Sequence, residues 1–137
     1  MMPRSDMSSP FGEEVNIMTK KSLKQRGEDA AAAYLERVGI CVVERTWSCD
    51  AGVVDIVAFD GDTLVVVDVK TSQAAGQKVS QAVSAAMTGR IRRIAEAYIE
   101  FADLHDVQWR LDRIDLLIIS EDRALLRHHR DATSIVN

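Results

Sequence analysis

Asp55, Asp68 and Lys70 stand at the spacing Asp-x12-Asp-x-Lys. Two acids and a lysine around a hard divalent cation can hydrolyse a phosphodiester: the carboxylates bring oxygen ligands, and the ammonium adds positive charge. The acids lie in segments that are otherwise Val, Ile and Leu, where two adjacent carboxylates repel and need a cation. The bland alternative is a pair of strand-end acids neutralised by Lys70 and solvent.

The geometry rests on one β-hairpin. Val53–Phe59 and Leu64–Thr71 read as strands joined through Asp60-Gly61-Asp62. Side chains alternate along a strand, so Asp68 and Lys70, two apart, share a face. A two-residue loop brings Asp55 to that face as well. With Gly61-Asp62 as the loop Asp55 lies directly opposite Asp68, and with Asp60-Gly61 it lies diagonally across. A three-residue loop breaks the arrangement.

Around this hairpin the expected order is α-β-β-β-α-β-β. Ser22 can cap a helix running to about Val38, with Leu23, Ala30, Tyr34 and Val38 on one stripe and Glu28 beside it; Gly39 ends it. Ile40–Ser48 reads as a strand, and the two hairpin strands, apolar on both faces, belong in the middle of a sheet. After a Gln73–Gln77 loop, a long helix is expected from about Val79 to Leu104. Its core stripe is Met87, Ile91, Ile94, Tyr98 and Phe101, and Gly89 interrupts it at a cost of about 1 kcal/mol relative to Ala. Trp109–Ser120 and Ala124–His128 complete an α/β fold with one mixed central sheet flanked by helices. Residues 1–20 hold two prolines and four methionines without apolar period and read as a disordered leader; 21–137 read as a single domain.

The chain has 137 residues, 47% of them hydrophobic, and a net charge of −4. An acidic pI near 5.3 argues against indiscriminate coating of nucleic acid. Charge is nonetheless segregated: Asp50 to Asp68 holds five acids and no base, while Lys20, Lys21, Lys24, Arg26, Arg90, Arg92, Arg93, Arg123, Arg127 and Arg130 flank it. An acidic centre ringed by bases suits a cation site that receives a polyanion, and each cluster also suits a solvated surface. No apolar run reaches eighteen residues and no secretory signal is visible, so no membrane role and a cytoplasmic location are expected. Cys41 and Cys49 have seven residues between them, too many for a Cys-x-x-Cys pair, and read as reduced thiols. His105, His128 and His129 have no zinc spacing with either cysteine. Arg113 and Asp115 read as structural, Trp47 and Trp109 as packing residues.

Four blocks, taken together, resemble a known family. Arg26-Gly27-Glu28-Asp29-Ala30-Ala31, Gly52-Val53-Val54-Asp55-Ile56-Val57-Ala58, Val67-Asp68-Val69-Lys70-Thr71 and Arg113-Ile114-Asp115-Leu116-Leu117 are similar, in order and spacing, to the YraN family of bacterial restriction-endonuclease-like proteins. The resemblance covers about Lys21 to Ala132. It implies the α-β-β-β-α-β core of the PD-(D/E)xK nuclease superfamily. It also implies that Asp55 and Asp68 hold Mg²⁺ or Mn²⁺, and that Lys70 orients the attacking water or stabilises the phosphorane charge. Glu28 would assist through water. The implied partner is nucleic acid, DNA first.

The chain departs from that family where Val53 replaces a glutamate, Ser72 a basic residue and Met87 a lysine, and Asp68 is one methylene shorter than the commoner Glu. By alternation position 53 shares a face with Asp55, so the site lacks one acid. Two functions follow: a metal-dependent endonuclease hydrolysing DNA phosphodiesters, or a catalytically degenerate nuclease fold serving as a nucleic-acid-binding or protein-interaction module.

Overall fold

A computed structural model describes residues 22–73 and 83–132. The expected leader, most of the Gln73–Gln77 loop and the expected helix start at Val79 lie outside the described residues.

Ser22 caps α1 (Leu23–Arg37) through a reciprocal box: its hydroxyl accepts the Gln25 amide at 3.1 Å, and the Gln25 side chain accepts the Ser22 amide at 3.3 Å. The helix ends at Val38, and Gly39 turns the chain with a φ of +89°. The buried face is Gly27, Glu28, Ala31 and Leu35, not the expected stripe of Leu23, Ala30, Tyr34 and Val38. Size explains the correction. A Cβ on Gly27 would lie 1.8 Å from Thr71 Oγ1, so the helix comes down on the sheet through its smallest residues. Leu23, Ala30 and Tyr34 take the flanks, and Val38 is exposed.

The sheet comprises β1 (Cys41–Cys49), β2 (Gly52–Asp60), β3 (Thr63–Gln73), β4 (Trp109–Ser120) and β5 (Arg123–His129), in that spatial order. All neighbours are antiparallel except β3 and β4, which run parallel. The crossover between them carries α2 (Ala85–Phe101). This is an α/β fold with a mixed sheet and two helices in the order α-β-β-β-α-β-β.

One apolar cluster lies under α1, with Ala31, Leu35, Ile56, Val65, Val67 and Ile114. The other, with Val57, Leu64, Val66, Leu111, Ile91, Ile94 and Tyr98, lies under α2. Leu64 through Val67 are fully buried, each such side chain stabilising the fold by roughly 1.5–3 kcal/mol. The strand that carries Asp68 and Lys70 is therefore held from both sides.

Ser84 caps α2, its hydroxyl accepting the Met87 amide at 3.0 Å. The helix stops at Phe101 rather than Leu104. Ile91, Ile94 and Tyr98 fill the core as the periodicity requires, but Phe101 is 67% exposed. It lies at the rim, 5.6 Å from the Trp47 ring. At Gly89 an added Cβ meets only the tip of Arg93 at 3.9 Å, so close packing does not require glycine there. Among the described residues, no helix is long and apolar enough to cross a membrane.

Candidate metal centre

Asp60 pairs with Thr63, which leaves Gly61-Asp62 as a two-residue loop with Gly61 at a φ of +61°. The β2–β3 ladder runs to Ile56 against Val67. One step further, the same register sets Asp55 opposite Asp68, the direct rather than the diagonal arrangement.

Regular pairing ends at that step. Val54 and Val57 belong to the same cluster under α2 although an odd separation normally puts residues on opposite faces. Alternation therefore slips around Asp55. On the other side, the β1 position facing Asp55 is Thr46, whose φ of +52° is left-handed. The irregularity leaves the Asp55 carboxylate between the strands. Its Oδ2 accepts the Val69 amide at 2.7 Å, and its Oδ1 accepts a hydrogen bond from Lys24 Nζ at 2.9 Å.

Lys24 holds a second acid. Its Nζ donates to Glu28 Oε2 at 2.6 Å, so Glu28, buried on the sheet side of α1, shares one ammonium with Asp55. Hydrogen bonds to Glu28 and then to Asp55 hold the Lys24 ammonium well above its ordinary pKa. In sequence Lys24 is one of several N-terminal cations. Its i, i+4 spacing from Glu28 was the available signal.

Asp68 is in a different state. It is 9% exposed, and its Oδ2 is buried without a hydrogen-bond partner. Lys70 Nζ stands 3.7 Å from that oxygen, near enough to feel its charge and too far to hydrogen-bond. Burial pushes the Asp68 carboxyl above its ordinary range. Lys70 opposes the shift, the charge of Asp55 adds to it, and Arg113 and Arg90 oppose it. Asp55, Asp68 and Lys70 are thus electrostatic neighbours. Arg113 is the β4 partner of Asp68 and Asp115 that of Lys70. Arg113 Nε lies 3.3 Å from Asp115 Oδ1, and His129 Nε2 3.1 Å from Asp115 Oδ2. Arg90 reaches from α2 to donate to the Val53 carbonyl at 3.3 Å, so that helix borders the site.

Val53 is 51% exposed. Trp47 packs edge-on against Tyr98 at 5.1 Å, and Trp109 packs against the α2-side cluster. Both cysteines are free thiols, Cys41 exposed and Cys49 partly so.

A second polar assembly, illegible in sequence, lies on the α1 side. Asp112 is fully buried and accepts from Arg110 Nε at 2.8 Å, from the Asp131 amide at 2.9 Å and, with its other oxygen, pairs with His128 Nε2 at 2.8 Å. The other ring nitrogen of His128 meets Tyr34 Oη at 3.0 Å.

Asp68 Oδ2 is the kind of atom a hard cation satisfies, and Asp55, although engaged twice, keeps lone pairs free. Among the described residues, no three His, Cys, Asp or Glu side chains gather into a metal cage. The donor set thus suits a hydrated ion held by two carboxylates, in the manner of Mg²⁺, which retains several waters.

The fold and its hairpin place the chain among α/β proteins with a restriction-endonuclease-like core. Uncharacterised protein family UPF0102 matches residues 27–119, and the chain belongs to that family, the one whose four blocks it resembles. It is 43% identical over 113 residues to a UPF0102 protein of Geobacter sulfurreducens, covering 82% of this chain and 88% of the relative. A UPF0102 protein of Arthrobacter sp. is 40% identical over 110 residues, 79% of this chain and 90% of its own. One of Beutenbergia cavernae is 38% identical over 115 residues, 83% and 98% respectively.

Proposed function

We propose that this protein is a metal-dependent endonuclease of the PD-(D/E)xK type, acting on DNA phosphodiesters. One observation carries the reading: the buried Asp68 oxygen with no hydrogen-bond partner, 3.7 Å from the Lys70 ammonium and within the field of Asp55, midway along a strand packed on both faces. Asp55 and Asp68 would hold Mg²⁺ or Mn²⁺. When bound, that ion supplies positive charge to a phosphate oxygen and makes water more acidic. Val69 fixes the Asp55 carboxylate through its amide, so this ligand enters the reaction pre-oriented. Lys70, half exposed, can turn its ammonium toward a phosphate or a water while Asp68 restrains it. Arg90 and Arg113 add positive potential beside the acids, which favours approach of a polyanion. No side chain in this arrangement is placed as a covalent nucleophile, so direct attack by water is the chemistry it favours.

A second reading has its own support. Glu28 and Asp55 already share the Lys24 ammonium as a counter-charge, and Val53 supplies no carboxylate. A chain that binds nucleic acid without cutting it fits those two facts.

Digestion of a panel of duplex, flap, four-way and single-stranded DNA with Mn²⁺ tests the first reading. Cleavage lost in Asp68→Asn supports it. Salt-dependent DNA binding without cleavage supports the second.

A further inference from the structure

Lys24 Nζ sits between Glu28 Oε2 at 2.6 Å and Asp55 Oδ1 at 2.9 Å, a position a bridging cation would take. Its side chain is 68% exposed, so it is not driven there by apolar burial. The two acids gather it: Glu28 and Asp55 keep only 9% and 14% of their side-chain surface, and buried carboxylates require a counter-charge. The partner chosen is a lysine one helical turn before Glu28, not solvent.

Three acids (Glu28, Asp55, Asp68) then face two ammonium groups (Lys24, Lys70). One divalent ion turns that net −1 into +1, enough to receive a phosphate diester. A second ion between Glu28 and Asp55 would have to displace the ammonium, which already occupies the position between the two carboxylates. The orphaned oxygen is not one of the two that hold Lys24: it belongs to Asp68.

We infer that Lys24 is the built-in second cation of this site, so that the site takes a single divalent ion, between Asp55 and Asp68, and Glu28 serves the lysine rather than a metal. This rests on the proposed reading of Asp55 and Asp68 as ion ligands. A depression of about 280 Å³ lined by Gln25, Glu28, Asp29, Arg45 and Thr46 opens beside Glu28, so solvent ions can reach the bridge if the lysine is removed.

Calorimetric titration of the full chain with Mn²⁺ measures the stoichiometry directly, with melting curves of the metal-free variants confirming folding. The parent should bind one ion, Lys24→Arg one, and Lys24→Gln two. Asp68→Asn should abolish binding in the parent, yet the double variant with Lys24→Gln should retain one ion. Two ions in the parent, or one ion in a folded Lys24→Gln, overturn the role of Lys24 while leaving the Asp55/Asp68 centre standing. No ion in either protein removes that centre, and this inference with it. An ion bound only after Lys24→Gln also overturns it, by showing that the lysine blocks the whole site.

Discussion

The Asp55 carboxylate accepts the backbone amide of Val69 at 2.7 Å, just where the β2–β3 ladder ends. A side chain thereby satisfies an amide at the point where the two strands stop exchanging hydrogen bonds. The same residue that is offered to a cation is also part of the sheet.

Asp55→Ala should therefore cost stability even without metal. It strands the Val69 amide and releases Lys24, for a loss of about 1–3 kcal/mol. Asp55→Asn, whose amide oxygen can still accept from Val69, should lose less. Urea unfolding of both variants at neutral pH measures the difference, and equal losses would show that the Val69 bond contributes little.

Asp68→Asn should act in the opposite direction. Burial makes the Asp68 charge unfavourable, so replacing it by a neutral amide should raise the metal-free melting temperature at pH 7, a common pattern at functional sites. The stabilisation by Mn²⁺ expected of the parent should vanish in this variant. A lower metal-free melting temperature would mean that Lys70 and Arg113 depend on this carboxylate.

Acid should unfold the protein through the other polar assembly. Burial raises the Asp112 carboxyl, but hydrogen bonds from His128, Arg110 and the Asp131 amide outweigh it and hold the group below its ordinary 3.8. Asp60 is likewise held below 3.8, chiefly by its hydrogen bond from Arg110. For a carboxyl with a depressed folded pKa, the stabilisation is complete above the unfolded value and fades as pH falls through the folded one. Stability should thus drop below about pH 4, and Asp112→Asn should flatten that drop while costing about 3–5 kcal/mol at pH 7, because Arg110 and His128 lose their buried partner. Equilibrium unfolding between pH 2 and 7 tests both statements.

Val53→Glu should be nearly silent for stability. Position 53 is half exposed, so the new carboxylate stays in water and the change should remain within about 0.5 kcal/mol. Arg90, already donating to the Val53 carbonyl, is at hand to pair with it. Mn²⁺ affinity should rise if the added oxygen reaches the ion. An unchanged affinity would place position 53 outside the coordination sphere.

Much of the sheet was legible because the strands are long, β-branched and bounded by Gly and Asp. A two-residue loop allowed the hairpin two registers and a three-residue loop a third arrangement; the structure has the register with Gly61-Asp62 as its loop. The first helix was misread because hydrophobicity pointed to Leu23 and Tyr34, whereas the approach of the helix depends on what Gly27 lacks. Lys24 looked like one cation among many, since its partner Asp55 is brought to it by tertiary packing. The Asp112–His128–Tyr34 chain could not be read at all: its members come from β4, β5 and α1 and meet only through the order of the sheet. Arg90 turned on whether α2 borders the site, and Val53 on a slip in alternation that no pattern of residue types reveals.

Tyr34 meets His128 across 94 positions of sequence, and Arg26 donates to the carbonyls of Ser120 and Glu121 across 94 and 95. The helix that brings Lys24 and Glu28 to Asp55 is thus secured by segments synthesised almost a hundred residues later. During vectorial synthesis, the hairpin with its two acids emerges long before the strand that pins this helix. The contacts of Arg26 and Tyr34 are consequently late additions to the fold, available only once β4 and β5 are made, whereas the seat of the same helix on Thr71 and the grip of Lys24 on Asp55 draw on residues synthesised earlier.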